Sequence, residues 1–231
     1  EIRLTATSDS SESHPRWSAD GRYLAFLAAR GDEEQKKKGA QVWLLNRLGG
    51  EAQPLTDVKG GITAFEWSPD GKRLALVVSD FDPSSDPEKL EGWKRKTPPP
   101  IVIDRYQFKN DEDGYRTRLY THLALFEVES KKLEMLTSGQ FDDRDAVWSP
   151  DGRSIAFISK RGQDPDRTED TNVYVMEARA GAEVRQLTTF PGEEHGPPSW
   201  SPDGQWIAYG QGDEVRYSAY QMAKLTVVPA M

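Results

Sequence analysis

A five-residue motif, Trp-Ser-Pro-Asp-Gly, occurs four times in nearly the same form along this chain of 231 residues. Three copies are identical, and the first has Ala19 in place of the proline. A short motif repeated in this way indicates an array of similar units, each covering the next. We expect structural roles, in turns and packing, for Trp17, Asp20, Gly21, Trp67, Asp70, Gly71, Trp148, Asp151, Gly152, Trp200, Asp203 and Gly204.

A Leu-Thr pair precedes each of these tryptophans by twelve or thirteen residues. The pairs begin at Leu4, Leu55, Leu136 and Leu187, so the successive repeats are 51, 81 and 51 residues long. Two periods agree, and the middle one has about 30 extra residues. The sequence therefore predicts an insertion in the second repeat, over residues 79–121.

The remainder of each repeat is typical of β-strands. Asp-Gly is a strong turn signal, and short apolar segments follow it at residues 23–27, 74–78, 155–158 and 206–209. Two more strands complete a repeat, and the last ends at the Leu-Thr pair. Four antiparallel strands, here named A to D, in about 50 residues describe one β-propeller blade. We predict an all-β fold, a β-propeller with about four four-stranded antiparallel blades and no helix.

One partial propeller is predicted over residues 1–231. It would open with a D strand at Ile2–Leu4 and close with a C-like strand at residues 225–228. We expect that further blades and the true N-terminus lie outside this chain. The alternative is a closed four-bladed ring, in which Ile2–Leu4 completes the last blade.

The insertion lies between strands B and C of the second repeat. It is rich in proline and charge, and an alternating segment at 101–108 with a turn at 110–115 predicts a hairpin that projects from the ring. In an antiparallel blade the D–A and B–C loops share one face. We expect this loop-rich face to carry the function, because loops on a rigid scaffold often do.

Composition excludes several classes of function. A net charge of −8 disfavours nucleic-acid binding, which requires a positive surface. No apolar run is long enough to span a bilayer, so no membrane role is predicted. The chain has no cysteine, which excludes disulfide and thiolate chemistry but leaves the compartment open.

No catalytic constellation can be assembled from the sequence. Gly-x-Ser-x-Gly, His-Glu-x-x-His, phosphate-binding and calcium-binding loops are missing, so we predict no catalytic residue, cofactor or metal in this chain. His14 and His195 both fall in predicted D–A loops, and Glu193 and Glu194 precede His195. Histidine beside carboxylates suits a base or a metal ligand. The simpler interpretation is that two repeats drifted to the same polar residue.

The repeats resemble those of a known family. A Leu-Thr pair, about twelve residues, Trp-Ser-Pro-Asp-Gly and an Ile/Leu-Ala-Phe strand are similar to repeats in TolB-like propellers and in the propellers of prolyl oligopeptidase family (S9) serine peptidases. The insertion at 100–109 with 113–115, and the acidic loop at 161–166, resemble bacterial acylaminoacyl-peptidase or dipeptidyl-aminopeptidase-like members.

The resemblance implies a non-catalytic role within a peptidase. In that family a seven- or eight-bladed propeller caps an α/β-hydrolase domain with a Ser-Asp-His triad and restricts entry to short peptides. This chain would then be inactive alone, with Arg105 and Tyr106 of the insertion as candidates for gating or substrate contact. The implied partners are the hydrolase domain and short peptides, and a homo-oligomer stays open.

Two further expectations accompany this interpretation. The expected location is the cytoplasm, with the periplasm as the alternative. The alternative function is a TolB-like scaffold for protein interactions with no enzyme domain attached.

Overall fold

The structure is a computed structural model that describes residues 4–5, 10–82, 100–110, 114–162, 164–214 and 222–231. The strands in these ranges are β1 (Glu12–Trp17), β2 (Tyr23–Ala28), β3 (Gln41–Asn46), β4 (Gln53–Pro54), β5 (Ile62–Trp67), β6 (Arg73–Ser79), β7 (Lys109–Asn110), β8 (Gly114–Tyr115), β9 (Thr121–Glu127), β10 (Leu133–Met135), β11 (Asp143–Trp148), β12 (Ser154–Ser159), β13 (Asn172–Glu177), β14 (Arg185–Gln186), β15 (Gly192–Trp200), β16 (Trp206–Glu214) and β17 (Lys224–Pro229).

The strands form four antiparallel sheets that follow one another along the chain. Their strand orders are β1-β2-β3-β4, β5-β6-β9-β10, β11-β12-β13-β14 and β15-β16-β17. We call these sheets blades one to four; the described part of blade four contains strands A, B and C. The predicted all-β fold of antiparallel propeller blades is confirmed, and so is the C-like strand at 225–228. Ile2 lies outside the described residues, and Leu4 belongs to no described strand.

The core lies between the blades. Leu74 and Leu76 of β6 pack with blade one, whereas Ala75 and Val77 of the same strand pack with Trp148 and the rest of blade three. Alternate side chains of a strand point to opposite faces, so one central strand supplies two neighbouring layers of core. The B strands are therefore buried on both faces, which explains their nearly continuous apolar sequence.

The repeated motif forms the turn between strands A and B. In blade three, Ser149 Oγ donates to Asp151 Oδ1 at 2.6 Å and accepts from the Ser154 N–H at 2.9 Å. Asp151 Oδ1 also accepts from the Arg153 N–H at 3.1 Å, and Gly152 adopts a φ of +68°. The serine and backbone hydrogen bonds lower the pKa of Asp151. The other three copies make the same bonds.

The tryptophans of the motif differ in burial. Trp67 and Trp148 are buried between blades, and Trp148 Nε1 donates to the Glu66 carbonyl of the preceding blade at 3.2 Å. Trp17 of blade one is 55% exposed. The motif is thus one turn repeated four times, with its tryptophan used in packing where a preceding blade is described.

The Leu-Thr pair joins strand D to strand C. The Leu55 N–H donates to the Val42 carbonyl at 2.8 Å, and the Val42 N–H donates to Thr56 Oγ1 at 2.9 Å. The same arrangement recurs at Leu123 of blade two and Val173 of blade three. Here the threonine hydroxyl accepts a hydrogen bond from strand C that a backbone carbonyl of strand D would otherwise accept. It therefore adds one more hydrogen bond between the two strands beyond the end of strand D.

One prediction about secondary structure was wrong. A short helix, α1 (Glu33–Lys37), lies in the B–C loop of blade one. Asp32 Oδ1 accepts from the Gln35 N–H at 2.8 Å, and Gln35 Oε1 accepts from the Asp32 N–H at 3.1 Å. This capping box satisfies the first turn. Five residues are too few to show a helical period, so sequence patterning missed the helix.

The predicted insertion over residues 79–121 is described only in part, because residues 83–99 and 111–113 lie outside the described residues. The hairpin is limited to β7 and β8, and residues 101–108 form no strand. The described part does not project freely, because it lies against the B–C loop of blade three. Its polar side chains contact blade three and also one another, since Arg118 pairs with Asp104 at 2.6 Å and Arg116 donates to Gln107 Oε1 at 3.0 Å.

Replacing Ser149 with alanine should destabilise the fold more than the same change at Ser201. Ser149 is buried, so Ser149→Ala leaves the Ser154 N–H without a partner and should cost about 1–3 kcal/mol. Ser201 makes the same bonds at a more exposed turn, where water can replace the hydroxyl. Urea unfolding of both variants measures the difference, and equal losses would contradict this burial-dependent role.

Candidate functional site

The A strands meet on the inner side of the blades. Strands β1, β5, β11 and β15 each form one edge of a sheet, and successive A strands contact one another, β1 with β5, β5 with β11 and β11 with β15. Every one of them contains a β-bulge. Three bulges hold a residue with positive φ, namely His14 at +53°, Asp145 at +56° and Gly196 at +70°. Bulges at sheet edges redirect side chains, so this inner wall presents polar groups out of register with the sheets.

The two predicted loop histidines lie in strands. The sequence placed His14 and His195 in D–A loops, but they belong to β1 and β15. Pro15, Pro197 and Pro198 obscured the strand signal. Proline is tolerated here because an inner strand is a sheet edge and is bulged. The histidines are on blades one and four, separated by two blades, and do not form a common site.

Ion pairs join neighbouring inner strands. Arg16 Nε lies 3.2 Å from Glu66 Oε2, between blades one and two. Arg144 lies 3.9 Å from Glu193 Oε1, between blades three and four. His195 Nδ1 is 3.8 Å from the same Glu193 oxygen, which is longer than a hydrogen bond. The inner wall is therefore polar and charged but assembles no hydrogen-bonded acid–base pair at His195.

Glu194 differs from its neighbours in burial. Its side chain is fully buried, whereas Glu193 and His195 are partly exposed. Thr188 Oγ1 donates to Glu194 Oε2 at 2.8 Å, and Glu194 Oε1 has no hydrogen-bond partner. Of the three consecutive candidates, only Glu193 and His195 are placed to meet a molecule passing along the inner wall.

Carboxylates of blade three fasten the insertion, and Asp166 makes most of these bonds. Asp166 Oδ1 accepts from Arg105 Nε at 3.1 Å, while Asp166 Oδ2 accepts from the backbone N–H groups of Tyr106 and Gln107. Gln107 Nε2 also donates to Glu169 Oε1 at 2.6 Å. Burial would raise the pKa of Asp166, but the bonds from Tyr106 and Arg105 lower it. A segment of blade two is thus held by a loop of blade three.

The two gating candidates have different surroundings. The Arg105 guanidinium is occupied by Asp166 and by the Thr117 carbonyl at 2.7 Å, and its side chain is 13% exposed. Tyr106 is 65% exposed, with the Arg167 guanidinium 5.1 Å from its ring centre. Their gating role stays a prediction, with Tyr106 positioned for direct contact and Arg105 for holding the segment.

Seven large apolar side chains in the described part of the insertion are exposed. We call this set the insertion surface, and its members are Ile101, Val102, Ile103, Tyr106, Phe108, Tyr115 and Leu119. Each is at least 39% exposed, and Phe108 stacks on Tyr115 with 6.5 Å between ring centres. Large exposed apolar patches are often contact sites for another protein or domain, so this set is a candidate for such contact.

Sequence reasoning missed a buried arginine that recurs in two blades. Arg161 forms two hydrogen bonds of 2.8 Å with Asp143 and lies over the Phe157 and Tyr174 rings. In blade one, Arg30 pairs with Glu12 and lies over Phe26 and Trp43. The signal was present, because each acid lies five residues before the motif tryptophan and each arginine thirteen after it.

Asp143 has a lowered pKa despite complete burial of its side chain. Burial would raise its pKa, but the adjacent His122 ring, the Arg161 guanidinium and two hydroxyls together lower it. His122 Nδ1 lies 4.0 Å from Asp143 Oδ2. Blade two has Ile62 at the position of Asp143, which shows that an apolar side chain also fits there.

Breaking the Asp143–Arg161 pair should destabilise the fold strongly. Asp143→Asn leaves a largely buried guanidinium without its counter-ion and should cost about 3–5 kcal/mol. The double variant Asp143→Ile, Arg161→Met imitates the apolar blade two and should recover most of this loss. Urea unfolding of the single and double variants measures both. A double variant as unstable as Asp143→Asn would show that the pair is required as a pair.

Two kinds of site are expected to leave a clear geometric pattern in the described ranges, a cluster of metal ligands and a membrane-spanning helix. There, no cluster of three or more His, Asp or Glu side chains is arranged to hold a metal ion. No helix in these ranges is long and apolar enough to cross a membrane.

Comparison with known proteins identifies the family. The model of the family described as "Dipeptidyl peptidase IV (DPP IV) N-terminal region" matches residues 104–227. The uncharacterized peptidase YuxL of Bacillus subtilis is 34% identical over 164 residues, covering 70% of this chain and 24% of that protein. The Tol-Pal system protein TolB of Francisella tularensis subsp. mediasiatica is 24% identical over 224 residues, covering 91% of this chain and 48% of that protein.

A solved structure agrees in fold. Pyrococcus horikoshii acylaminoacyl peptidase matches with a TM-score of 0.61 and 21% identity, over 94% of this chain and 31% of that one. The chain spans less than half the length of each of these proteins. The resemblance noted from the repeats is confirmed. The chain belongs to the dipeptidyl peptidase IV N-terminal region family, as propeller blades of the prolyl oligopeptidase (S9) type that also resemble TolB.

Proposed function

We propose that this chain is the non-catalytic, substrate-selecting part of a serine peptidase that cleaves short peptides. The observation that carries the proposal is the family match over residues 104–227, which includes the insertion from Asp104 onward. The catalytic Ser-Asp-His triad would belong to an α/β-hydrolase domain elsewhere in the parent protein. The propeller would act by deciding which peptides reach that domain.

The inner wall supports a selecting role. The Arg16–Glu66 and Arg144–Glu193 pairs cross the seams between blades on the inner side. These side chains are partly exposed, so a peptide passing the wall meets fixed charges of both signs. Such charges favour extended polar peptides over folded apolar segments, because the latter would have to desolvate the ion pairs. His14, Glu193 and His195 would line the same path.

The insertion supports contact with the hydrolase domain. Its polar atoms are used to fasten it to blade three, whereas the insertion surface faces outward. This arrangement holds an apolar patch rigidly in place, and a rigid patch loses little entropy on docking. We place the hydrolase domain, or peptide held at its entrance, against this surface, with Tyr106 as the side chain that touches the substrate.

A second candidate function is a TolB-like interaction scaffold without an enzyme. The 24% identity to TolB over 224 residues favours it. The coding sequence beyond the chain separates the two. A Gly-x-Ser-x-Gly motif followed by Asp and His supports the peptidase, and a stop codon soon after Met231 supports the scaffold.

The chain alone should not hydrolyse acyl-peptide or aminoacyl reporter substrates, because its sequence has no Gly-x-Ser-x-Gly motif to present an activated serine nucleophile. The full-length parent should hydrolyse them and be stopped by serine-directed inhibitors. Both are measured by reporter release. Turnover by the chain alone that survives those inhibitors but is lost in His195→Ala would contradict the proposal and indicate chemistry at the inner wall.

In the full-length protein, Asp166→Asn should change peptide selection. The variant weakens the bonds to Arg105, Tyr106 and Gln107, so the insertion loses its fixed position. We expect kcat/KM for short peptides to fall about tenfold, the equivalent of one charge-assisted hydrogen bond. Steady-state kinetics on a short and a longer peptide measures this.

Asp164→Asn is the matched control. Asp164 lies in the same loop, is exposed and pairs only with Arg167 among the ion pairs of the described residues. It should leave kcat/KM unchanged. If Asp166→Asn and the parent protein have equal kcat/KM values, the insertion has no role in substrate selection.

A further inference from the structure

Three blades carry an acidic residue at the same place in strand A. Glu12 lies opposite Ala28, Asp143 opposite Ser159, and Glu194 opposite Gln211. In each blade, the strand B residue that lies opposite the acid comes four positions after the strand B residue that lies opposite the motif tryptophan. The three carboxylates are therefore repeats of one structural position, even though blade four has one residue more between the acid and the tryptophan.

Blade four lacks the arginine that balances this acid elsewhere. One residue of each strand B lies opposite the motif tryptophan. Arg30 and Arg161 come six positions after that residue in their blades, and Asp213 comes six positions after it in blade four. Asp213 pairs with Lys224 at 3.3 Å. Within the described ranges, no lysine or arginine forms an ion pair with the Glu194 carboxylate.

The aromatic platform of the arginine is also incomplete. Phe157 and Tyr174 lie under Arg161, and their counterparts in blade four are Tyr209 and Thr226. Blade four has kept the acid and one ring, and it has replaced the second ring and the cation. Glu194 is thus a buried acid at a repeated position, and the arginine that pairs with this acid in blades one and three is replaced in blade four by Asp213.

Among the described residues, the groups around Glu194 provide hydrogen bonds but no counter-charge. Thr188 Oγ1 donates to Oε2, the Val173 N–H lies close by, and Oε1 has no partner. Asp170, before β13, adds negative charge, and Tyr209 of β16 is neutral. Arg144 of β11 donates to the Glu194 backbone carbonyl at 3.2 Å and pairs through its side chain with Asp145 and Glu193. His195, the next residue, pairs with Glu193.

We propose that Glu194 makes the seam between blades three and four a proton-dependent joint, closed while its carboxyl is neutral and loosened when the carboxyl ionises. A buried neutral carboxyl needs no counter-charge, but a buried carboxylate with an unsatisfied oxygen does. Loosening the seam admits water to Glu194 and relieves that requirement. The inference goes beyond peptide selection, because it concerns how two blades stay together whatever the propeller binds.

The direction of the pH effect follows from the burial. Burial raises the pKa of Glu194 from 4.5 to about 7 in the folded chain, so folding takes up a proton at intermediate pH. The stability of the seam is complete below the unfolded value and is lost as pH rises through about 7. Asp143 behaves in the opposite way, because its pKa is lowered and its contribution is lost as the solution becomes acidic.

The test is amide hydrogen exchange of the full chain, corrected for the intrinsic effect of pH, together with thermal unfolding at pH 5 and pH 8. In the wild type, protection of β15 and β16 amides should fall between the two pH values. Glu194→Gln keeps the shape and removes the ionisation, so protection at pH 8 should rise by about tenfold to a hundredfold, since each unit of pKa shift is tenfold. At pH 5, the amide protection of Glu194→Gln should differ little from that of the wild type.

Two matched variants complete the experiment. Glu193→Gln changes the adjacent, partly exposed acid and should keep the wild-type pH dependence. Asp143→Asn changes the repeat-equivalent acid that has its arginine, and it should lower protection at both pH values. The same fall in protection between pH 5 and pH 8 in wild type and Glu194→Gln would overturn the proposal.

A direct titration covers the case in which Glu194→Gln does not fold. The Glu194 carboxyl carbon of the wild-type chain can be followed by ¹³C NMR against pH. A midpoint near neutrality supports the joint, and a midpoint at the ordinary value for glutamate overturns it.

Discussion

The structure depends on burial of each B strand between two neighbouring blades. A single antiparallel sheet of four short strands has two apolar faces and cannot cover either by itself. Leu74 and Leu76 are buried only because blade one exists, and Ala75 and Val77 only because blade three does. Stability is thus shared along the array, and a change at one seam is felt first by the two blades that form it.

Polar groups in these seams are the exception that needs explaining. Each buried acid on the inner strands sits where water cannot reach it, so its energy depends on what the rest of its own blade supplies. Blade three supplies Arg161 and two aromatic rings to Asp143. Blade two has apolar Ile62 and needs nothing. Blade four has neither solution at Glu194, although the strands around it pair as they do elsewhere.

The sequence predicted the features that repeat and missed those that depend on tertiary contacts. Asp-Gly turns, apolar B strands and the Leu-Thr spacing are local signals, so they were sufficient to identify the blades. His14 and His195 were misplaced because proline and a bulge disguise an edge strand. Arg105 was correctly singled out, but its partner Asp166 is 61 residues away, and no local pattern connects them. The surroundings of Glu194 became meaningful only after its register was compared with that of Asp143.

The attachment of the insertion to Asp166 has a mechanical consequence. The segment is encoded within blade two but held by blade three, so it braces the seam between them across the loop-rich face. Separating blades two and three must break the hydrogen bonds of Asp166 to the insertion as well as the apolar contacts between the two blades. The next seam, between blades three and four, is held by hydrogen bonds between Thr171 and the backbone of β15, and it also contains the buried Glu194. The two seams are therefore held differently: an inserted segment bridges blades two and three, whereas hydrogen bonds to the backbone of an inner strand join blades three and four.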